Sequence, residues 1–306
     1  MEPLSTMASL AILILLAPVS PAQNGEAHSA QVVKSSPTLV IVPTSVRSQY
    51  GDPVRDLDAV RFRLADNGQE QSVYLERIEN EPLAVVVLIQ TGGAASSELG
   101  NYSKLDTFVG SILGASPSKL ALVSFDSRVR QIWGFPPRVD GLDYALTHPT
   151  GGDRGAAIRD AVRCGINLLQ NQPAQFRRIM LLFSQEKDSG SESSSAEVLR
   201  EVARSGTTIY SFTFSRDSGS RKNHKDKPSS TTAGELATQS GGEAARFDGD
   251  DELEQAMSVV REDIRSGYIL SFHPTSPTPG LHTITVQVGQ QTGRLRVLAR
   301  KYYWLD

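Results

Sequence analysis

The sequence predicts an α/β protein: a doubly wound, mostly parallel sheet with helices on both faces, inserted in a smaller β module formed by the N- and C-terminal segments. Three observations carry this expectation. The run LAVVVLIQ at residues 83–90 is apolar throughout, as a central parallel strand buried on both faces must be. Between residues 82 and 266, strand-like and helix-like stretches alternate, the pattern of a parallel sheet with helical crossovers. On either side, residues 38–81 and 267–306 read as strands separated by turns, without helical spacing.

The chain has 306 residues, of which 39% are hydrophobic and 21% charged, enough to bury a substantial core. Residues 1–22 read as a secretory signal. The apolar run at 8–19, ASLAILILLAPV, is too short to span a bilayer as a helix and is followed by small residues, with cleavage expected after Ala22. Its leader, MEPLSTM, carries Glu2 and no basic residue, a departure from the usual pattern. Residues 23–37 are polar and read as a flexible linker. No other stretch approaches the ~18 apolar residues of a membrane helix. The expectation is an exported protein, periplasmic or secreted, with no membrane insertion after the signal is removed.

Each element has its own signal. LVIVPTSVRS is a β-branched strand ended by the turn YGDP, and VRFRLADNGQEQSVYLERIE forms strands about an Asn-Gly turn. After the central strand, YSKLDTFVGSILGA has helical spacing, KLALVSFD and VRQIWGF read as strands, and LDYAL as a short helix. AAIRDAVRCGINLLQN is an amphipathic helix followed by the strand FRRIMLLFS. SSSAEVLREVARSG is a helix with a serine start and a glycine stop. TTIYSFTFS is a strand, ELATQSG a short helix and GGEAARFDG a short strand. DDELEQAMSVVREDIRSG is a last helix, with acids at its start and Arg265 near its end. YILSFHP, LHTITVQVG and RLRVLARKYYWLD complete the β module as three strands.

Composition and motifs exclude several classes of function. A net charge of −3 with scattered Lys and Arg gives no footprint for nucleic acid. The one basic cluster, RKNHKDK at 221–227, reads as a solvated loop within the stretch 217–232, which is long enough for recognition. Cys164 is the only cysteine, so no intramolecular disulfide forms, and its helical setting suits a structural thiol. Hydrolase, zincin and phosphate-loop motifs are missing; GGDRGAAIRD lacks the Lys-Ser/Thr of a Walker sequence. The histidines are dispersed, and His273 and His282, flanking TSPTPG, read as a surface hairpin pair. Asp126 reads as a loop cap, and Tyr302, Tyr303 and Trp304 as rings packed on the β module. No cofactor and no enzymatic activity are expected.

In open α/β sheets the ligand crevice lies beyond the C-terminal strand ends, where strand order reverses. The loops after Gln90 and Ser184 occupy such positions. The series formed by the small-residue loop TGGAAS, then SFDSRV, GGDRGAAIRDAV and IMLLFSQEKDSGS resembles the von Willebrand factor A domain. The flanking segments, VPTSVRSQYGDPVRDLDAVRFRLADNGQEQ and YILSFHP with its following strands, resemble the exported bacterial VWFA-related Acidobacterial domain proteins. The resemblance implies a vWA-like, Rossmann-type fold that binds protein partners, commonly through a metal-ion-dependent adhesion site. It places that site's D-x-S-x-S ligands at Gln90, Gly92 and Ala94, its second-loop Thr at Ala156 and its third-loop Asp at Gln185. Both carboxylates are then neutral amides, which offset little of the hydration a divalent cation loses, so a degenerate site with no metal is expected.

Asp153, Glu186 and Asp188 lie near these positions and read as solvated loop acids. Two alternatives stay open: a rebuilt weak cation site, or a hydrolase-like enzyme using the three acids as an acid–base group. The favoured expectation is a non-enzymatic interaction module that binds an unknown protein partner without a metal bridge. Its binding loops would contain Thr91, Gly93, Ser96, Asp153, Arg154, Glu186 and Asp188. A structural spacer of an envelope assembly is the remaining alternative.

Overall fold

The computed structural model describes residues 38–306 apart from 79–80, 94, 96–98, 115–116, 137–140, 215–230 and 290–293. The signal, the linker, the basic cluster, Ala94 and Ser96 therefore lie outside the described residues, as does nearly all of the loop 217–232. Four strands come first: β1 (Val40–Arg47), β2 (Phe62–Asp66), β3 (Gln69–Gln71) and β4 (Tyr74–Arg77). Asn67 and Gly68, with φ of 48° and 83°, make the tight β2–β3 turn that the Asn-Gly pair predicts.

The α/β domain follows as β5 (Leu83–Gln90), α1 (Leu105–Leu113), β6 (Lys119–Phe125), β7 (Val129–Trp133), α2 (Leu142–Thr147) and α3 (Ile158–Gln170). It continues with β8 (Arg177–Gln185), α4 (Ser195–Ser205), β9 (Thr208–Phe214), α5 (Thr232–Ser240), β10 (Ala244–Phe247) and α6 (Asp250–Arg265). The sheet order is β10-β9-β8-β5-β6-β7, with β7 antiparallel and the rest parallel. From β5 the chain steps outward one way through β6 and β7, then returns to β8 and steps the other way. The switch point thus lies between β5 and β8, as a doubly wound sheet requires.

β5 is buried at every position because it faces helices on both sides. Val85, Val87 and Ile89 join a core with Phe108 and Ile112 of α1, Leu146 of α2 and Met257 and Ile264 of α6. Ala84, Val86 and Leu88 face Ile158, Val162 and Ile166 of α3, Val198 of α4 and Leu236 of α5. The serine start of α4 is a full capping box: Ser194 accepts from the Glu197 amide, the Glu197 carboxylate accepts from the Ser194 amide, and Gly206 ends the helix at φ 65°.

After α6 come β11 (Tyr268–Phe272), β12 (Gly280–Val288), β13 (Arg296–Ala299) and β14 (Tyr302–Leu305). With the first four strands they form two antiparallel sheets, β13-β1-β11-β4 and β14-β12-β2-β3. The sheets enclose one core. Val40, Val42, Leu270 and Phe272 meet Leu64, Ile284, Tyr303 and Leu305, with edge-on ring pairs Phe62–Tyr268 at 5.1 Å and Phe272–Tyr303 at 5.9 Å.

Two expectations need correction here. RLRVLARKYYWLD is not one strand: β13 pairs with β1 and β14 with β12, the chain changing sheets at Arg300 and Lys301. His282 is not half of a surface pair. It shares the inward face of β12 with Ile284, is 2% exposed, and turns Nδ1 to Asp66 Oδ1 at 2.9 Å and Nε2 to the Thr278 carbonyl at 2.7 Å. Tyr303 donates to the other Asp66 oxygen at 2.8 Å, which closes a buried polar cluster. His273 lies elsewhere, beside the Thr38 carbonyl and the Tyr74 ring.

Arg47, at the end of β1, ties the β module to the α/β domain. Its Nε donates to Asp263 Oδ1 of α6 at 2.9 Å, its Nη2 pairs with the other Asp263 oxygen, and its Nη1 lies 2.8 Å from Glu243 Oε2. Both Arg47 and Asp263 are buried, so removing either leaves a charge uncompensated in the interior. We expect Arg47→Met to lower the unfolding free energy by about 3–5 kcal/mol, measured by urea denaturation. Adding Asp263→Leu in the same chain should recover part of that loss.

Candidate functional site

The C-terminal ends of β5, β6 and β8 carry the three loops that surround the switch point. Gln90, the last residue of β5, is wholly buried, and so nearly is Gln185 at the end of β8. Their amides bind each other's strands together. Gln90 Oε1 accepts from the Gln185 backbone N–H at 2.8 Å, and Gln90 Nε2 donates to Gln185 Oε1 at 3.3 Å and to the Gly92 carbonyl at 2.9 Å. Gln185 Nε2 reaches on to the Lys187 carbonyl at 2.7 Å. Ala156 is buried and exchanges both backbone hydrogen bonds with Ser189, 2.8 Å each, joining the second loop to the third. Gly92 needs its missing side chain: a Cβ there would stand 1.9 Å from the Asp153 carbonyl.

Each of the three loop acids pairs with an arginine. Asp153 accepts from the Ser127 amide at 3.0 Å, from the Gly155 amide at 2.9 Å, from the Ser127 hydroxyl and from Arg130 Nη2 at 2.9 Å. The Ser127 hydroxyl first, then the Gly155 amide, holds its carboxyl down at about 2 although it lies at the surface. The Asp188 side chain is 6% exposed, receives the Arg159 amide and guanidinium at 3.0 Å each, and thereby caps the start of α3. Glu186 pairs with Arg246 of β10. Asp153 keeps the exposed position expected of a loop acid, whereas Glu186 is half-buried and the Asp188 side chain is covered. Each of the three carboxylates faces a guanidinium.

Asp126 has the capping role expected of it, in stronger form. Fully buried, it accepts from the Arg128 amide at 3.2 Å, the Asp153 amide at 3.1 Å and the Arg130 guanidinium, so Arg130 bridges Asp126 and Asp153. Sequence reasoning passed over Arg130 and Ser127, because nothing in VRQIWGF or SFDS marks the two carboxylates that Arg130 meets across the fold. A cavity of about 430 Å³, lined among others by Thr91, Asp126, Arg130, Gly152 and Asp153, opens at this point. Thr91 is 2% exposed and its hydroxyl donates to the Phe125 carbonyl at 3.3 Å, so it backs the surface rather than forming it. The outer surface is residues 150–154, all exposed, together with Lys187. Gly93 is partly exposed beneath Arg154.

The residues present do not suit the divalent cation that the resemblance implies. Among the described positions, Gln90, Gly92, Ala156 and Gln185 offer no carboxylate, and both amide oxygens already accept hydrogen bonds. Beside α3 a groove of about 620 Å³ is lined by Arg163, Cys164 and Glu197, among others. There Arg163 pairs with Glu201, Glu197 caps α4, and burial pushes the Cys164 thiol up.

Two outcomes follow. Gln90→Ala leaves the buried Gln185 amide without an acceptor, and should cost about 1–3 kcal/mol in urea unfolding. Because the Asp153 pKa is depressed from 3.8 to about 2, its stabilisation is fully present above pH 3.8 and lost as pH falls through about 2. Asp153→Asn should therefore remove that part of the acid dependence of the urea midpoint between pH 5 and 2.

No family model and no curated protein matches the chain. The chain is similar to several solved structures. A von Willebrand factor type A protein from Catenulispora acidiphila is 9% identical with a TM-score of 0.45, over 89% of this chain and 76% of that one. BatB from Bacteroides thetaiotaomicron is 11% identical with a TM-score of 0.42, over 60% and 97%. Proximal thread matrix protein 1 from the mussel byssus, with a zinc-occupied MIDAS motif, is 14% identical with a TM-score of 0.48, over 66% and 50%. The sheet order, the antiparallel edge strand β7 and the three loops over the switch point give the α/β domain the doubly wound, mostly parallel sheet that the sequence predicts.

Proposed function

We propose that the protein is an exported, non-enzymatic interaction module that binds a protein partner through the loops above β5, β6 and β8 without a metal bridge. The observation that carries this reading is the mutual hydrogen bonding of Gln90 and Gln185, which fills the place of the expected carboxylate ligands and fixes the loops without a cation. Around it, Asp153, Glu186 and Asp188 are spent on holding the loops, while Thr150, Gly151, Gly152, Arg154 and Lys187 remain exposed for contact. Acids each paired with an arginine favour a recognition surface over an acid–base pair. Rigid, pre-organised loops lose little freedom on binding.

Two measurements test this. Thermal unfolding of the full chain should give the same midpoint in millimolar Mg²⁺, Mn²⁺ or Ca²⁺ as in EDTA. A site with Kd 100-fold below the metal concentration would add about 2.7 kcal/mol, and a saturable rise of that kind overturns the metal-free reading. In affinity capture from the exported fraction, Arg154→Glu with Lys187→Glu should release a partner that the wild-type chain retains in EDTA. Unchanged capture by the variant would instead favour a spacer whose loops bind nothing.

A further inference from the structure

Among the described residues, two guanidinium groups in the seam between α4 and the β module have no counter-ion. Arg178, near the start of β8, donates Nη1 to the Ser205 carbonyl at 2.8 Å and Nη2 to the Gln172 carbonyl at 3.4 Å, leaving a buried Nε without a partner. Arg300, at the crossing from β13 to β14, likewise has a buried, unpartnered Nε. Its Nη1 lies 3.3 Å from where a Cβ on Gly206 would stand, so both groups border the turn that ends α4. Arg300's aromatic neighbour is the Tyr303 ring, 5.6 Å away.

Among the described residues no carboxylate pairs with either arginine. Nearby acids are accounted for: Glu81 faces Arg177 at 3.8 Å, Asp306 faces Arg204 at 3.2 Å, and Glu76 lies exposed at the rim. Burial without a carboxylate pulls the Arg300 pKa down to about 10 and lowers that of Arg178 as well. Two like charges left without a carboxylate on one cavity are costly, and such groups are ordinarily completed by an anion or by water.

The space to complete them is there. A cavity of about 470 Å³ opens over both arginines, and its other walls include Trp304, Leu39 and Ile41, the last two about half exposed at 49% and 48%. We propose that this seam is a binding site for a small oxyanion, carboxylate or phosphate, carried on an apolar body. The guanidinium groups of Arg178 and Arg300 supply the positive charge for the oxygens, and Leu39, Ile41 and Trp304 cover the body. The site lies away from the loops above the strand ends and does not depend on their role.

The test is thermal unfolding of the full chain, titrated at constant ionic strength with acetate, phenylacetate or inorganic phosphate. The expected result is a saturable rise of about 5–10 °C at 100 times Kd. Phenylacetate should saturate at a concentration at least tenfold lower than acetate, and the phosphate arm separates the two head groups. Arg300→Met should stay folded by circular dichroism and lose the response. Leu39→Ala, at an exposed position, should keep the acetate response and weaken that to phenylacetate several-fold. A wild-type chain with no saturable response to any of the three overturns the proposal, as does a folded Arg300→Met chain that responds like wild type.

Discussion

The pairing of β11 with both β4 and β1 fixes where the α/β domain leaves the β module and where it returns. Tyr268, the first residue of β11, lies opposite Arg77, the last residue of β4, and opposite Thr44 of β1. The long excursion through the parallel sheet therefore starts and ends on adjacent strands of one antiparallel sheet. Closing so long a loop costs little more than closing a short one, since the entropy grows only with the logarithm of length. A modest number of ladder hydrogen bonds suffices, and the buried Arg47–Asp263 pair then sets the angle of α6 against β1.

From that anchor the rest is packing. With both ends held, β5 takes the centre of the sheet, and its two apolar faces recruit three helices each. The loops at the strand tips are then locked to one another by backbone and amide hydrogen bonds rather than by a shared ligand. Ala157 donates to the Asp126 carbonyl at 2.6 Å and Gly152 to that of Thr91 at 3.0 Å, so the second loop is stitched to the first and to the end of β6. The arginines that neutralise the loop acids come from β7, α3 and β10, elements that flank the tip on three sides.

Much of this was legible in the residues. LAVVVLIQ announced a strand covered on both faces, and alternating elements announced the helical crossovers. The serine start and glycine stop of α4 marked its ends to within a residue or so. What was not legible depended on contacts between distant positions. Asp188 and Arg159 are 29 residues apart and Asp153 and Arg130 are 23 apart, so composition alone made the acids look solvated. The change of sheet at Arg300 carries no proline or glycine to announce it. His282 could have been placed, since its alternation with Ile284 points it inward, but the turn sequence TSPTPG drew the eye to the surface.

The bonds between Gln90 and Gln185 are made by neutral groups that neither titrate nor exchange ligands. Swings in acidity, salt and free divalent cations loosen a loop cluster built on charge or on a bound ion. Amide-to-amide bonding in a site closed to water is indifferent to all three. The two strand tips it joins keep their spacing in media that would strip an ion from a carboxylate cage.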